Sequence, residues 1–225
     1  MVSPPRQLAL SLRHAENLSR EDFLPGPSNE AALAMVERWP DWPAPALAIT
    51  GPEGSGKSHL ASIWADLSGA RVVSARSLQT TMLPDALATG ALVLEDCASS
   101  TIDERALFHL LNLVREQNGN LLMTARTVPS SWMVALPDLA SRLRAIPAVT
   151  VSTPDDALLR AVMIKLFADR QLAVDESLVG YLLTRVGRSF GAIRAAVQTL
   201  DREALQRKRP VNRALAAELF RELSS

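Results

Sequence analysis

The 225-residue sequence contains one cysteine, Cys97, one tyrosine and only 4% aromatic residues. A single cysteine excludes an intrachain disulfide and a metal site built from several thiolates, and it favours a reducing compartment. No apolar run reaches the roughly 18 residues that cross a bilayer, and the first residues lack the apolar core of about 7 to 15 residues found in signal peptides. We therefore expect a cytoplasmic protein that does not bind a membrane.

An excess of charge of one sign is also lacking, because 24 Lys and Arg residues balance 24 Asp and Glu residues. A balanced chain has no overall field that would concentrate it on nucleic acid. The stretch from Arg185 onward is locally basic, with nine basic and four acidic residues. A solvated helix face is the preferred interpretation of this stretch, and a nucleic-acid patch is the alternative.

Apolar residues are abundant, at 48% of the total, and they suffice for a sizeable core. Short apolar runs alternate with stretches of helical periodicity, a pattern typical of βα units around a parallel sheet. After Pro154 the strand signals stop, and only helices are predicted. The predicted strands cover residues 46–50, 70–75, 91–96, 121–125 and 148–152, and the predicted helices include 103–118, 156–170, 176–187, 190–208 and 211–223.

The strongest chemical signal is the segment GPEGSGKSHL, which begins at Gly51 and matches the phosphate-binding pattern G-x-x-x-x-G-K-[ST]. It lies between a predicted strand and a predicted helix, where backbone N–H groups and the helix N-terminus converge on an anion. Lys57 is expected to reach the β- and γ-phosphates, and the Ser58 hydroxyl to bind Mg²⁺. The residues predicted to bind a nucleotide here are Gly51, Glu53, Gly54, Ser55, Gly56, Lys57, Ser58 and His59.

Two carboxylates, Glu95 and Asp96, end the predicted strand ALVLED. In a parallel sheet this strand end lies close to the phosphate loop. Glu95 is therefore predicted to hold Mg²⁺ together with Ser58, and Asp96 to act in hydrolysis, with a solvated strand end as the alternative. Thr124, in the predicted strand LLMTA, is predicted to orient the γ-phosphate or the attacking water.

Four segments together resemble the AAA+ ATPases, and within them the DnaA family of bacterial replication proteins. They are DFLPGPSNEAAL at 22–33, the phosphate loop, SRL at 141–143 and GAIRAAVQTLDR at 191–202. The resemblance implies an α/β fold, in which an AAA+ P-loop NTPase core with a five-stranded parallel sheet is followed by a small all-α lid. The implied domains are an N-terminal tail (1–21), a nucleotide-binding domain (22–153) and a helical lid (154–225).

The resemblance also implies roles for single residues. Leu24 to Asn29 would edge the adenine pocket, Thr124 would be the sensor 1 residue, and Arg194 would reach a bound ADP or ATP from the lid as the sensor 2 residue. Arg142 matches the arginine finger, which stabilises charge on a transferring phosphoryl group in a neighbouring site. Without the resemblance, a salt bridge at a helix end is the alternative for Arg142.

Two departures from the family pattern carry expectations of their own. The second acidic motif usually begins with aspartate, whereas Glu95 stands here, and the extra methylene displaces the carboxylate. We therefore expect weak or absent hydrolysis of the chain's own nucleotide. No helix-turn-helix segment follows the lid in this sequence, so we expect no sequence-specific DNA binding.

The segment RQLALSL at 6–12 is unusually apolar for a chain end. Gln7, Leu8, Leu10 and Leu12 resemble the short peptide by which many client proteins bind the replication sliding clamp, the β subunit of DNA polymerase III. An edge strand or a helix packed on its own domain is the alternative.

Two functions follow as expectations. By resemblance, the chain is a regulator of replication initiation that docks on the clamp and, through Arg142, stimulates hydrolysis of DnaA-bound ATP. The alternative is a stand-alone AAA+ ATPase of helicase-loader or transposition-helper type that acts on nucleic acid. The sequence leaves open whether the chain is a monomer or a homodimer, and whether ADP or ATP is the resident nucleotide.

Overall fold

The computed structural model of the chain describes residues 18–220. Its strands are β1 (Ala46–Thr50), β2 (Arg71–Ser74), β3 (Ala91–Cys97), β4 (Asn120–Ala125) and β5 (Ala148–Thr150). They form one sheet in the order β2-β3-β4-β1-β5, and all neighbouring strands run parallel. The predicted α/β fold with a five-stranded parallel sheet is confirmed.

The central strands are apolar runs because both of their faces are covered by helices. Successive side chains of a strand point to opposite faces of the sheet. In β3, Leu92 and Leu94 pack into the core on one face, whereas Val93 packs into the core on the other. The same alternation places Leu121 and Met123 of β4 on the first face.

The edge strands are shorter than predicted. β5 spans three residues, 148–150, because its single neighbour β1 ends at Thr50, where the phosphate loop begins. β2 spans four residues and pairs with β3 up to Glu95. β5 therefore ends where β1 ends, whereas β2 ends at Ser74, before β3 leaves the sheet at Cys97.

Acidic and hydroxyl side chains begin several of the helices. Asp103, Asp155, Asp175 and Ser189 each accept a hydrogen bond from a backbone N–H group in the first turn of the helix that follows. The helices in the described part of the chain are α1 (Glu30–Glu37), α2 (Lys57–Ser68), α3 (Leu83–Ala86), α4 (Glu104–Glu116), α5 (Pro137–Arg144), α6 (Asp156–Asp169), α7 (Glu176–Leu183), α8 (Phe190–Arg207) and α9 (Arg213–Phe220).

The four helices after Pro154 share a hydrophobic core of their own, in which Met163, Phe167 and Val197 are fully buried. α7 ends at Leu183 rather than at 187, because the chain turns before Ser189, which caps α8. None of the helices in residues 18–220 is long and apolar enough to cross a bilayer.

Candidate nucleotide-binding site

The phosphate loop, residues 51–56, joins β1 to α2 in a conformation that requires glycine. Gly51 has φ 148°, and a Cβ atom there would lie 2.2 Å from the Val151 carbonyl oxygen. Gly54 has φ 71°, and its Cβ would lie 2.7 Å from Cβ of Ser189. A side chain at either position would displace backbone or the start of α8. The loop is therefore fixed between the sheet and the helices that follow Pro154.

Lys57 is the first residue of α2, and only 8% of its surface is exposed. Its Nζ donates a hydrogen bond of 2.7 Å to the carbonyl oxygen of Pro52, across the loop. Burial lowers the pKa of Lys57, whereas the carboxylate of Asp96 acts in the opposite direction. The ammonium group therefore lies desolvated inside the loop, where an anion would be attracted to it.

The hydroxyl of Ser55 is the second polar group that the loop encloses. Its Oγ is buried and has no hydrogen-bond partner within residues 18–220. Buried polar atoms are rarely left unpaired, because an unsatisfied group carries the full cost of desolvation. A phosphate oxygen is a partner that fits both this hydroxyl and Lys57.

A cavity of about 1180 Å³ opens beside the loop, between the carboxyl ends of the strands and helices α6 and α8. The phosphate loop, α6 and α8 each contribute residues to its walls, and Asp96 also lines it. Of the residues predicted to hold a nucleotide, those that line the cavity are Leu24, Asn29, Glu53, Gly54, Gly56, Lys57, Ser58, His59 and Arg194. Gly51 and Ser55 are buried in the loop itself.

Asn29, the residue before α1, braces the segment that brings Phe23 and Leu24 to the cavity wall. The side chain of Asn29 accepts a hydrogen bond from the Gly26 N–H and donates one to the Leu24 carbonyl oxygen. The ring of Phe23 packs edge-on against His59, with 5.0 Å between ring centroids. Burial lowers the pKa of His59, and its Nε2 lies 2.8 Å from the Ser19 carbonyl oxygen. A neutral, packed imidazole therefore forms part of this wall.

The two predicted acidic residues lie in different surroundings. The pairing of β3 with β4 shifts between Leu94 and Cys97, and Asp96 adopts φ 57°. This bulge directs Asp96 to the cavity. Glu95 does not line the cavity, and one of its carboxylate oxygens, Oε1, is buried without a hydrogen-bond partner in the described part of the chain. Oxygen ligands of this kind suit Mg²⁺.

Thr124 is only 1% exposed, and its Oγ1 accepts a hydrogen bond of 3.0 Å from the Asp96 backbone N–H. Thr124 and Asp96 are therefore in contact, and the Thr124 hydroxyl holds the bulge of β3 and does not line the cavity. No cluster of three His, Cys, Asp or Glu side chains that could hold a metal ion occurs in residues 18–220. The residues present fit Mg²⁺ held through one or two carboxylates and phosphate oxygens, the usual arrangement for this ion.

The two arginines implied by the resemblance lie apart. Arg194, on α8, lines the cavity, and its charge contributes to the lowered pKa of His59, of which burial is the main cause. Arg142, on α5, does not line the cavity, and its guanidinium carbon lies 5.2 Å from the centroid of the Phe108 ring on α4. Arg142 is half-buried. Gln7, Leu8, Leu10 and Leu12 lie outside the described residues.

Several cavity residues were not predicted. Phe23 lies in the segment 22–33, which carries the family resemblance, but no role was predicted for it. Phe190 directly precedes the segment 191–202, which also carries the resemblance. Arg126 lies just beyond the predicted strand that contains Thr124, and Lys165 lies in the predicted helix 156–170. All of these line the cavity. The position of Arg126 near a predicted strand end was a signal in the sequence, but it did not show that the phosphate loop lies beside that strand end.

No protein-family model matches the chain. An uncharacterized protein of Haemophilus influenzae is 27% identical over 224 residues, which cover 91% of this chain and 94% of that protein.

Solved structures resemble the chain over most of its length. Domain III of the replication initiation protein DnaA from Thermotoga maritima has a TM-score of 0.75 and 18% identity, and the match covers 92% of this chain and 97% of that one. A DnaA bound to AMPPCP and single-stranded DNA has a TM-score of 0.65 and 20% identity, with 86% and 68% covered. The Thermotoga maritima RuvB Holliday junction branch migration motor has a TM-score of 0.68 and 14% identity, with 89% and 70% covered. The chain therefore shares the fold of these domains.

Proposed function

We propose that the chain is a nucleotide-binding regulator of replication initiation, of the kind represented by Hda, which stimulates hydrolysis of ATP bound to DnaA. The observation that carries this proposal is the separation of Arg142 from the chain's own cavity. Arg142 matches the arginine finger of the family and does not line the chain's own cavity. Its guanidinium can therefore contact a nucleotide bound by a neighbouring protein. The likeness to DnaA domain III supports DnaA as the neighbour, because related AAA+ domains can associate through matching surfaces.

The chain's own cavity would hold ADP or ATP. The loop amides, Lys57 and Ser55 would bind the phosphates, and the wall around Phe23 and Asn29 would enclose the base. Bound Mg²⁺ would neutralise charge on the phosphate oxygens, and Ser58 with Glu95 would hold it. The AMPPCP found in a related DnaA supports an adenine nucleotide as the ligand.

Lid movement is part of the proposal. Arg194 reaches the cavity from α8, while Lys57 reaches it from the core. A nucleotide contacted by both would set the angle between the core, 22–153, and the lid, 154–225. We propose that this angle, more than hydrolysis in this site, controls the regulator, since Glu95 replaces the usual aspartate.

The catalytic step takes place in the partner's site. The guanidinium of Arg142 would stabilise the negative charge that spreads over the transferring phosphoryl group of DnaA-bound ATP. Arginine fingers supplied in this way increase the rate by about 10³ to 10⁵ in other NTPases. The Phe108 ring beneath Arg142 limits the orientations of the guanidinium before the partner arrives.

The test is a substitution of Arg142 with a matched control on the same helix. Arg142→Ala should reduce the stimulated hydrolysis of DnaA-bound ATP by at least about 100-fold, without weakening nucleotide binding by the chain itself. Arg144→Ala removes an exposed arginine two positions along α5 and should retain most of the stimulation. Full stimulation by the Arg142→Ala variant would contradict the proposal.

Clamp docking is proposed from the resemblance of Gln7, Leu8, Leu10 and Leu12 alone. Weak, reversible binding is expected, because ordering a free tail offsets much of the gain from burying leucines. A chain that begins at Leu18 should lose binding to purified clamp in a titration. Equal binding by both chains would remove clamp docking from the proposal.

A second candidate is an ATPase that acts directly on nucleic acid, and the likeness to the RuvB motor favours it. The two candidates differ in a simple assay. Rapid ATP hydrolysis by the isolated chain, stimulated by DNA and without effect on DnaA-bound ATP, would support the second candidate and contradict the first. We propose the cytoplasm as the site of action in either case.

A further inference from the structure

Arg126 lies where the end of β4 meets the phosphate loop. The carbonyl oxygen of Ala125, the preceding residue, accepts a hydrogen bond of 3.2 Å from the Gly51 N–H. This bond holds the first residue of the loop against the end of β4. Arg126 is the next residue after this contact, so its backbone lies beside the loop. The Arg126 side chain lines the same cavity as Lys57.

The guanidinium of Arg126 forms an ion pair with Glu53, a residue of the phosphate loop. Both side chains are largely exposed, at 73% for Arg126 and 80% for Glu53. An ion pair so exposed contributes little to stability, because water screens it and two long side chains must be ordered to form it. Arg126 can therefore exchange this partner at low cost.

The charges around the loop favour such an exchange. Asp96 and Glu53 both act to raise the pKa of Lys57, and Arg126 acts to lower it, although burial has the largest effect. The charge of Arg126 therefore acts on Lys57, the residue expected to contact the phosphates. A carboxylate on the loop repels a triphosphate unless a cation neutralises it. Phosphate oxygens are strong acceptors for guanidinium groups, which can bind them with two parallel hydrogen bonds.

We propose that Arg126 selects between nucleotide triphosphate and diphosphate by exchanging Glu53 for the terminal phosphate of the triphosphate. This inference rests on the proposed nucleotide site. With a diphosphate, Arg126 stays paired with Glu53. Thr124, by contrast, is only 1% exposed and does not line the cavity, whereas the side chain of Arg126, two residues further along, does.

The experiment measures dissociation constants of the full chain for a fluorescent, non-hydrolysable ATP analogue and for fluorescent ADP, both with Mg²⁺. Arg126→Ala should weaken binding of the ATP analogue about tenfold, as expected for loss of one charge-assisted contact, and change ADP binding less than about twofold. Arg115→Ala serves as the control, because Arg115 is exposed in the last turn of α4 and does not line the cavity. It should leave both constants unchanged.

Glu53→Gln separates direct contact from simple neutralisation. If Arg126 contacts the terminal phosphate, Arg126→Ala should weaken binding of the ATP analogue about as much in the Glu53→Gln background as in the parent chain. If the loss disappears in that background, Arg126 only neutralises Glu53 and the inference is wrong. Equal weakening of both nucleotides, or of neither, also overturns it. A parent chain that binds neither nucleotide would overturn the proposed nucleotide site, and this inference with it.

Discussion

At the scale of single residues, Gly54 joins the phosphate loop to α8. Its φ of 71° and the 2.7 Å between its Cβ position and Ser189 leave no room for a side chain. Gly90 provides a matched control, since it has φ 75° and no atom within 4 Å of its Cβ position. The two glycines differ in their contacts and not in backbone conformation.

Gly54→Ala should therefore destabilise the chain more than Gly90→Ala. The left-handed conformation costs an alanine about 1 to 2 kcal/mol at either position, and overpacking adds about 1 to 3 kcal/mol at Gly54 alone. Urea unfolding measures this difference, and nucleotide titration should show weaker binding only for Gly54→Ala. Equal losses in the free energy of unfolding would mean that Ser189 can move away from the new side chain without destabilising the fold.

Phe108 is expected to position Arg142. Phe108→Leu keeps an apolar side chain but removes the ring face, and a cation–π contact at an exposed site is worth about 0.5 to 1 kcal/mol. Stimulation of DnaA-bound ATP hydrolysis should fall about two- to fivefold, and Phe108→Tyr should restore it. If Phe108→Tyr stimulates hydrolysis as poorly as Phe108→Leu, the cation–π contact between the ring and Arg142 does not position the arginine.

Several of the predicted residues that lie at the cavity belong to one local motif. Lys57, Ser58 and Gly54 line the cavity because the strand, loop and helix that position them are contiguous in the chain. Arg126 and Phe190 could not be assigned from the sequence, since their place depends on β4 lying beside β1 and on α8 folding back onto the loop. These contacts join distant parts of the chain.

At the scale of elements, the ion pair between Lys165 and Asp22 joins α6 to the segment before α1. Lys165 on α6 lies 2.5 Å from Asp22 and 2.9 Å from Asp169. The hydrogen bond from Lys165 is the main cause of the lowered pKa of Asp22, and Ser19 also donates to this carboxylate. Asp22 and Lys165 both line the cavity, so this pair fixes the distance between two of its walls.

Asp22→Asn should lower the free energy of unfolding by about 1 kcal/mol at neutral pH. Because the folded-state pKa of Asp22 lies below its ordinary value of 3.8, the stabilisation is present above that value. It is lost as the pH falls through the lowered pKa. Urea unfolding at several pH values should show the two chains converging in acid. Asp66→Asn, which changes an exposed carboxylate on α2, should show no such difference at neutral pH.

The elements themselves were largely predictable, and their ends were less so. The runs that became β1, β3 and β4 are buried on both faces, so apolar composition alone marks them. The ends of β5 and α7 depend on where β1 stops pairing and where Ser189 begins the next helix. Periodicity within the segment does not contain that information.

At the scale of the whole molecule, the cavity is shared between the sheet and the helices after Pro154. A ligand that binds only this folded arrangement stabilises it by mass action, by about 2.7 kcal/mol at a concentration 100 times its Kd. For a chain of this length, that corresponds to a rise in Tm of about 5 to 10 °C. Thermal unfolding with ADP and Mg²⁺ should show this rise, and Lys57→Ala should abolish it. A rise of the same size for Lys57→Ala would place the nucleotide elsewhere.

We propose two activities on two surfaces of one chain: nucleotide binding in the cavity and an arginine on α5 that is supplied to a partner. The fold alone does not require this division, since one fold can carry many different functions. The division depends on Arg142 acting on a nucleotide held by another protein.

The most direct measurement follows the nucleotide bound to DnaA. DnaA is loaded with labelled ATP, the present chain is saturated with unlabelled ADP, and the two are mixed in the presence of clamp and DNA. We expect the labelled ATP to be converted to ADP much faster than by DnaA alone, and the Arg142→Ala chain to fail to accelerate the conversion. Unchanged conversion with the intact chain would contradict the claim that it supplies an arginine to the partner's site.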